Sequence, residues 1–203
     1  FKKTTEIQPQ QTRMQQKQNL KTNILLALTV DYKKSLEMIR IVYNAFRDTN
    51  DFNIIIKPHP TYNLNVYDLQ TYGININYKN NLQKQNSSNF EITIKPVAEL
   101  LPDCSIVITA ESTVGLEGIK VGCVMIELET QDFIPLSRLE YANEIKIIVK
   151  TADDLLEKTK EILNWSTTQK NEYLQKANKF INYCFNKPEK KYLKQFIEYS
   201  NKN

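Results

Sequence analysis

The residue types that carry chemistry are few in this chain, and they are unevenly placed. Its one histidine, His59, stands between two prolines in Lys57-Pro58-His59-Pro60, directly after the apolar run FNIII. Each proline fixes its own φ and disfavours the helical region for the residue before it, so Lys57 and His59 are both held extended. An imidazole stiffened in this way is aimed before a ligand arrives, which lowers the ordering cost of binding. At the carboxyl end of a strand it can donate to a phosphate, and a nearby phosphate favours its charged form. The competing reading is a stiff Pro-x-Pro loop with an incidental imidazole.

A second group lies in SIVITAESTVGLEG, where an apolar run passes through Ala110-Glu111-Ser112-Thr113 into a helical pattern. The free N–H groups of a first helical turn attract an anion, and the Ser112 and Thr113 hydroxyls add donors. Plain helix capping uses the same geometry. Glu117 follows Thr113 by four residues and so shares its side of the helix. A carboxylate placed there can accept from ribose hydroxyls, or it can simply complement the helix dipole. Gly115 and Gly118, two of the four glycines, fall inside this helix. A helix-interior glycine costs about 1 kcal/mol against alanine. Close approach of a ligand, or tight packing on a sheet, would account for them.

Other signatures are missing from the sequence. It has no GxxxxGK[ST] loop, no GxGxxG, no Asp-x-Asp pair and no GxSxG elbow. Three cysteines without a CxxC pair, beside one histidine, assemble no zinc site of the usual kind. Cys104 and Cys123 sit in apolar runs and read as small core residues in a reducing compartment. No metal or other cofactor is expected. The net charge of +4 is mild. The one basic cluster, Lys187 to Lys194, contains a glutamate and reads as a solvated helix face, so nucleic acid is not an expected partner.

The elements that must position these residues follow a regular rhythm. Residues 1–21 are rich in Gln and Lys and read as a linker or lead-in. NILLALTV then reads as a buried strand. A helix capped by Asp31 follows, with Leu36, Ile39, Val42, Tyr43 and Phe46 at helical spacing, and FNIIIK as the next strand: a βαβ unit. After a polar stretch from Tyr62 to Asn89, in which Asn75 to Asn89 reads as a solvated loop, come FEITIK as a strand, VAELL as a helical turn, SIVIT as a strand and STVGLEGIKVG as a helix with Gly122 at its end. CVMIELE and IKIIVK are further strands. The chain closes with three helices: one capped by Thr151, one opened by a Ser166 to Gln169 capping box, and one with Pro188 in its first turn. Strands alternating with helices imply an α/β, Rossmann-like, mostly parallel sheet with helices on both faces. In such sheets ligands bind beyond the carboxyl ends of the strands. The loops to inspect are therefore 29–32, 57–62, 94–98, 109–113 and 127–132. The expected division is a lead-in over 1–21, a nucleotide-sugar-binding domain over 22–165, and C-terminal helices over 166–203. Phe1 in place of Met suggests a piece of something longer.

The two features in this order, IIIKPHP followed by LPDCSIVITAESTVGLEGIKVGCVMIEL, resemble the C-terminal domain of GT-B glycosyltransferases that carry an HP motif and a Ser/Thr motif. Similar groups are the bacterial polysialyltransferases, capsule Kdo transferases and CDP-glycerol glycerophosphotransferases. The resemblance spans about residues 23–150 and implies one half of a GT-B fold. It implies a metal-independent transferase of surface polysaccharide synthesis that takes a CMP- or CDP-activated sugar or polyol donor and a carbohydrate acceptor. His59 would contact the donor phosphate and act in catalysis, Ser112 and Thr113 would hold the same phosphate, and Glu117 would bind the ribose. Lys57 and Glu111 would complete the donor site, and the segment from Ile94 through Pro96 to Val97 would lie along the base. The acceptor domain of that fold is not in these residues, so the chain alone would bind donor without transferring it. Cytoplasmic location, with peripheral attachment at the inner membrane face left open, goes with this reading. A UDP-sugar 2-epimerase-like enzyme and a non-catalytic α/β binding module are the alternatives.

Overall fold

The computed structural model describes residues 21–71, 89–110, 112–130 and 145–185. Among these residues six strands form one sheet: β1 (Thr22–Ala27), β2 (Phe52–Lys57), β3 (Phe90–Ile92), β4 (Ile106–Thr109), β5 (Val124–Leu128) and β6 (Ile147–Val149). Their order is β3-β2-β1-β4-β5-β6, and every adjacent pair is parallel. The two central strands show why. β1 ends in four buried residues and β4 is buried throughout, as continuous apolar runs covered on both faces should be. On β2, nearer the edge, buried and half-buried residues alternate.

Among the described residues six α-helices accompany the sheet: α1 (Tyr32–Phe46), α2 (Val66–Thr71), α3 (Val97–Leu100), α4 (Val114–Lys120), α5 (Ala152–Leu163) and α6 (Thr167–Phe185). The strand order reverses direction between β1 and β4, so right-handed connections place α1 and α4 on opposite faces. α5 packs on α1, while α6 packs on α4. One contiguous core joins the strands to Met38, Ile39, Val42 and Phe46 of α1, Leu155 of α5 and Tyr173, Ala177 and Ile181 of α6. The expected caps form. Asp31 accepts from the Lys34 N–H at 3.1 Å, Thr151 from that of Asp154 at 3.2 Å, and Ser166 and Gln169 bond reciprocally. Gly122, at φ 96°, turns the chain after α4 into β5.

Three expectations need correction. β1 stops at Ala27, because Thr29 turns the chain and its hydroxyl accepts the Asp31 N–H at 3.3 Å. β3 stops at Ile92: after the ladder bond from Thr93 N–H to the Ile56 carbonyl, Thr93 Oγ1 accepts from Lys95 ahead of Pro96. The polar stretch from Tyr62 to Asn89 contains α2, and its last residue is no solvated loop position. Asn89 is buried, and its amide donates to the Phe46 and Thr49 carbonyls at 2.8 and 3.0 Å, tying the start of β3 to the turn that follows α1. Residues 1–20 of the lead-in, residues 75–88 and the closing helix with Pro188 lie outside the described residues.

Candidate functional site

Because the strands are parallel, the loops after β1, β2, β3 and β4 open on one edge of the sheet. The loops after β1 and β4 flank the reversal point. The Lys57–Pro60 turn lies one strand out on the β2 side. Adjacent strands are about 4.8 Å apart, so it lies roughly 10 Å from the loop after β4.

His59 is half-buried at the end of β2. Its Nδ1 lies 2.8 Å from Thr61 Oγ1 and 3.3 Å from the Thr61 backbone nitrogen. A backbone N–H can only donate, so Nδ1 accepts and the ring proton of the neutral imidazole sits on Nε2. That fixes the role of the ring: Nε2–H is the donor it offers. Pro58, beneath it, is buried. Lys57 is half-buried, and its Nζ donates to the Ile94 carbonyl at 3.4 Å, joining the β2 loop to the β3 loop. Ile94 itself is 89% exposed, and Pro96 is exposed where α3 begins.

On the β4 side, Ser112 Oγ accepts from the Val114 N–H at 3.3 Å, which leaves its own proton free to donate. Thr113 is exposed and makes no side-chain cap bond. Glu117 is exposed one turn later, and its N–H donates to the Thr113 carbonyl at 3.1 Å. Glu111 lies outside the described residues. The two helix glycines answer to packing. A Cβ on Gly118 would come within 2.7 Å of Val107 Cγ1, and one on Gly115 would overlap the Met125 sulfur and stand 3.1 Å from Thr109 Cγ2. α4 thus lies close against β4 and β5, which brings its first turn down to the strand ends.

The sequence reading missed the residues that hold the His59 loop. Tyr62 reaches back so that its hydroxyl lies 2.9 Å from the Thr29 carbonyl and 2.6 Å from Ser35 Oγ. Ser35, fully buried in the first turn of α1, also donates to Thr29 O at 3.1 Å. Tyr32 packs edge-on against Tyr62 at 5.0 Å; its hydroxyl donates to Asp68 of α2 and accepts from the Asn65 N–H. Burial raises the Tyr62 phenol above its ordinary pKa. The one signal in the sequence was that Tyr62 is the aromatic residue of the selected loop 57–62.

A cavity of about 640 Å³ lies elsewhere, between α1 and the starts of α5 and its preceding loop, lined in part by Arg40, Glu129, Thr130 and Lys150. Lys150 is paired with Glu129 at 2.8 Å, and Asp153 and Asp154 occupy the first turn of α5, so its charge is mixed and suits a phosphate poorly. No cluster of His, Cys, Asp or Glu among the described residues could hold a metal ion, and no helix among them is long and apolar enough to cross a membrane.

A family model described as capsule polysaccharide biosynthesis protein matches residues 14–130. This chain belongs to that family. The match runs from before β1 to just past β5, and so includes both loops of the candidate site. No curated protein matches this capsule polysaccharide biosynthesis chain in sequence. In fold it is similar to the calicheamicin glycosyltransferase CalG4, with a TM-score of 0.56 at 13% identity over 79% of this chain and 38% of that one. It is also similar to the spinosyn rhamnosyltransferase SpnG, with a TM-score of 0.55 at 14% identity over 88% of this chain and 45% of that one. At such identities the likeness is one of fold: the family member has the Rossmann-like architecture of one half of a GT-B glycosyltransferase. It spans about two fifths of the length of these structures.

Proposed function

We propose that this chain is the donor-nucleotide-binding part of a transferase of surface polysaccharide synthesis, acting on a CMP- or CDP-activated sugar or polyol. The observation that carries the proposal is the His59 imidazole, whose Nδ1 is occupied by Thr61 so that Nε2–H is presented at the carboxyl edge of the sheet. A donor aimed in advance at a phosphate stabilises the charge that develops on a leaving nucleotide.

The two helix starts at the reversal point support a particular placement. At α1 the first turn is taken by the Asp31 carboxylate, and the Thr29 loop by Tyr62. A phosphate there would meet a like charge. At α4, Ser112 and Thr113 offer hydroxyl donors. The donor phosphate therefore lies on the β4 side of the reversal point, held by Ser112 and Thr113 and reached by His59 across the end of β1. Lys57 adds positive charge, Glu117 accepts from the ribose, and the base runs along the segment from Ile94 to Val97. Glu111 is assigned to the same site from the motif alone. The chemistry needs a carbohydrate acceptor and an acceptor domain beyond this chain. Phosphate charge is neutralised by side chains and N–H groups, without a resident metal.

Calorimetric titration of the chain with CMP, CDP, UMP and UDP, repeated with His59→Ala, tests the proposal. Binding of a cytidine nucleotide that the variant loses is the expected result. Selective binding of UDP would move the reading to an epimerase-like enzyme. Cytidine binding untouched in the variant would remove His59 from the site.

A further inference from the structure

Resting on the reading above, we infer that Tyr62 is the positioning residue of the candidate site: through its hydroxyl bonds to Thr29 and Ser35 it fixes the direction of the His59 imidazole. The two prolines stiffen the backbone at His59, but they do not tie the loop to the rest of the molecule. Tyr62 does. Its N–H closes a turn onto the His59 carbonyl at 3.3 Å, and its ring lies 6.4 Å from the imidazole with the planes inclined by 28°. Its hydroxyl crosses to the loop after β1 and is met there by the Thr29 carbonyl and Ser35 Oγ. Ser35 is fully buried and its hydroxyl also holds the Thr29 carbonyl, so the anchor rests on a rigid part of α1. Tyr32 and Asp68 brace the ring from the α2 side.

This places one phenol between the loop that carries His59 and the loop after β1, beside the proposed phosphate position. A side chain that merely filled space there would need no hydroxyl. With its hydroxyl engaged inward, Tyr62 acts on a ligand through His59 and not by touching it. The prolines set the local backbone and Tyr62 sets where that stiff segment sits over the sheet.

The test uses the full chain and exploits the fact that His59 is its only histidine, so the imidazole ring signals in an NMR spectrum belong to one residue. Tyr62→Phe keeps the ring and its packing; Ser35→Ala breaks the same anchor from α1, so the inference can be refuted even if one variant folds poorly. Tyr43→Phe, on the far part of α1 against Phe90, is the control for losing a phenol hydroxyl. In the ligand-free chain, Tyr62→Phe is expected to shift the His59 ring signals and raise the ring's mobility. Ser35→Ala should act in the same sense, and the double variant should be no worse than the stronger single one. CMP affinity should fall about three- to tenfold with Tyr62→Phe, the effect of one net hydrogen bond. His59 signals that move no more in Tyr62→Phe and Ser35→Ala than in Tyr43→Phe would overturn the inference. Loosened His59 signals, with CMP affinity unchanged even in His59→Ala, would leave the positioning role standing and remove the donor reading instead.

Discussion

His59 can serve as a donor in its neutral form because Thr61 occupies its other nitrogen. The Pro-x-Pro frame, and hence a pre-aimed imidazole, was legible in the sequence, since prolines act on their immediate neighbours. The tautomer was not, because it depends on where the Thr61 N–H and hydroxyl point. Tyr62 was still harder to find: its partners Thr29 and Ser35 lie 33 and 27 residues away. Asn89 was misread for the same reason. Composition marks an asparagine in a polar stretch as solvated, whereas here its amide ties the start of β3 to the turn that follows α1. Asn89→Ala should therefore cost about 0.5–1.5 kcal/mol, the net worth of a lost hydrogen bond, since the Phe46 carbonyl keeps the Thr49 N–H; a urea midpoint equal to that of the unaltered chain would refute the tie. At Glu117 the proposed contact is to the ribose. The unaltered chain should bind CMP more tightly than 2′-deoxy-CMP, and Glu117→Ala should abolish that preference. A preference that survives in the variant would place the ribose elsewhere.

Helices announced themselves through their caps. Asp31, Thr151 and the Ser166–Gln169 box each fell where a first turn begins, and each makes its bond. Strand ends were less legible, since Thr29 and Thr93 end β1 and β3 through bonds of their own hydroxyls that apolar patterning does not record. The glycines of α4 were legible as an anomaly, and only the sheet beneath them explains it. Two effects oppose each other on substitution: alanine gains about 1 kcal/mol of helix propensity, while overpacking costs about 1–3 kcal/mol. At Gly118 the added methyl meets the branched Val107 side chain, so Gly118→Ala should lower stability. At Gly115 the nearest atom belongs to the flexible Met125, so Gly115→Ala should cost less than Gly118→Ala. Urea unfolding of the two variants checks the order, and the reverse order would contradict this packing.

The parallel sheet was legible from the alternation of short apolar runs and helical patterns, and its carboxyl edge followed from that. The strand order was not, because nothing local tells β4 to pair with β1 in place of β3. Core burial has a further consequence for the whole molecule. Burial pushes the Cys104 thiol up to about 12, the Cys123 thiol up to about 11 and the Tyr173 phenol up to about 12. In each case the folded chain retains a proton that the unfolded chain releases from about pH 9 or 10 upward. The associated stability is present in full below that range and is lost as the pH rises towards 12. The urea midpoint should thus be lower at pH 10.5 than at pH 8, and an unchanged midpoint would contradict the burial of these groups.

The claim on which everything else rests is that a nucleotide phosphate meets His59 at the carboxyl edge of the sheet. The most direct measurement follows the ring signals of this single histidine while CMP is added to the full chain. A saturable shift of those signals, not reproduced by cytidine without its phosphate, is the predicted result. Signals that stay in place while calorimetry shows CMP bound would put the nucleotide elsewhere and contradict the account.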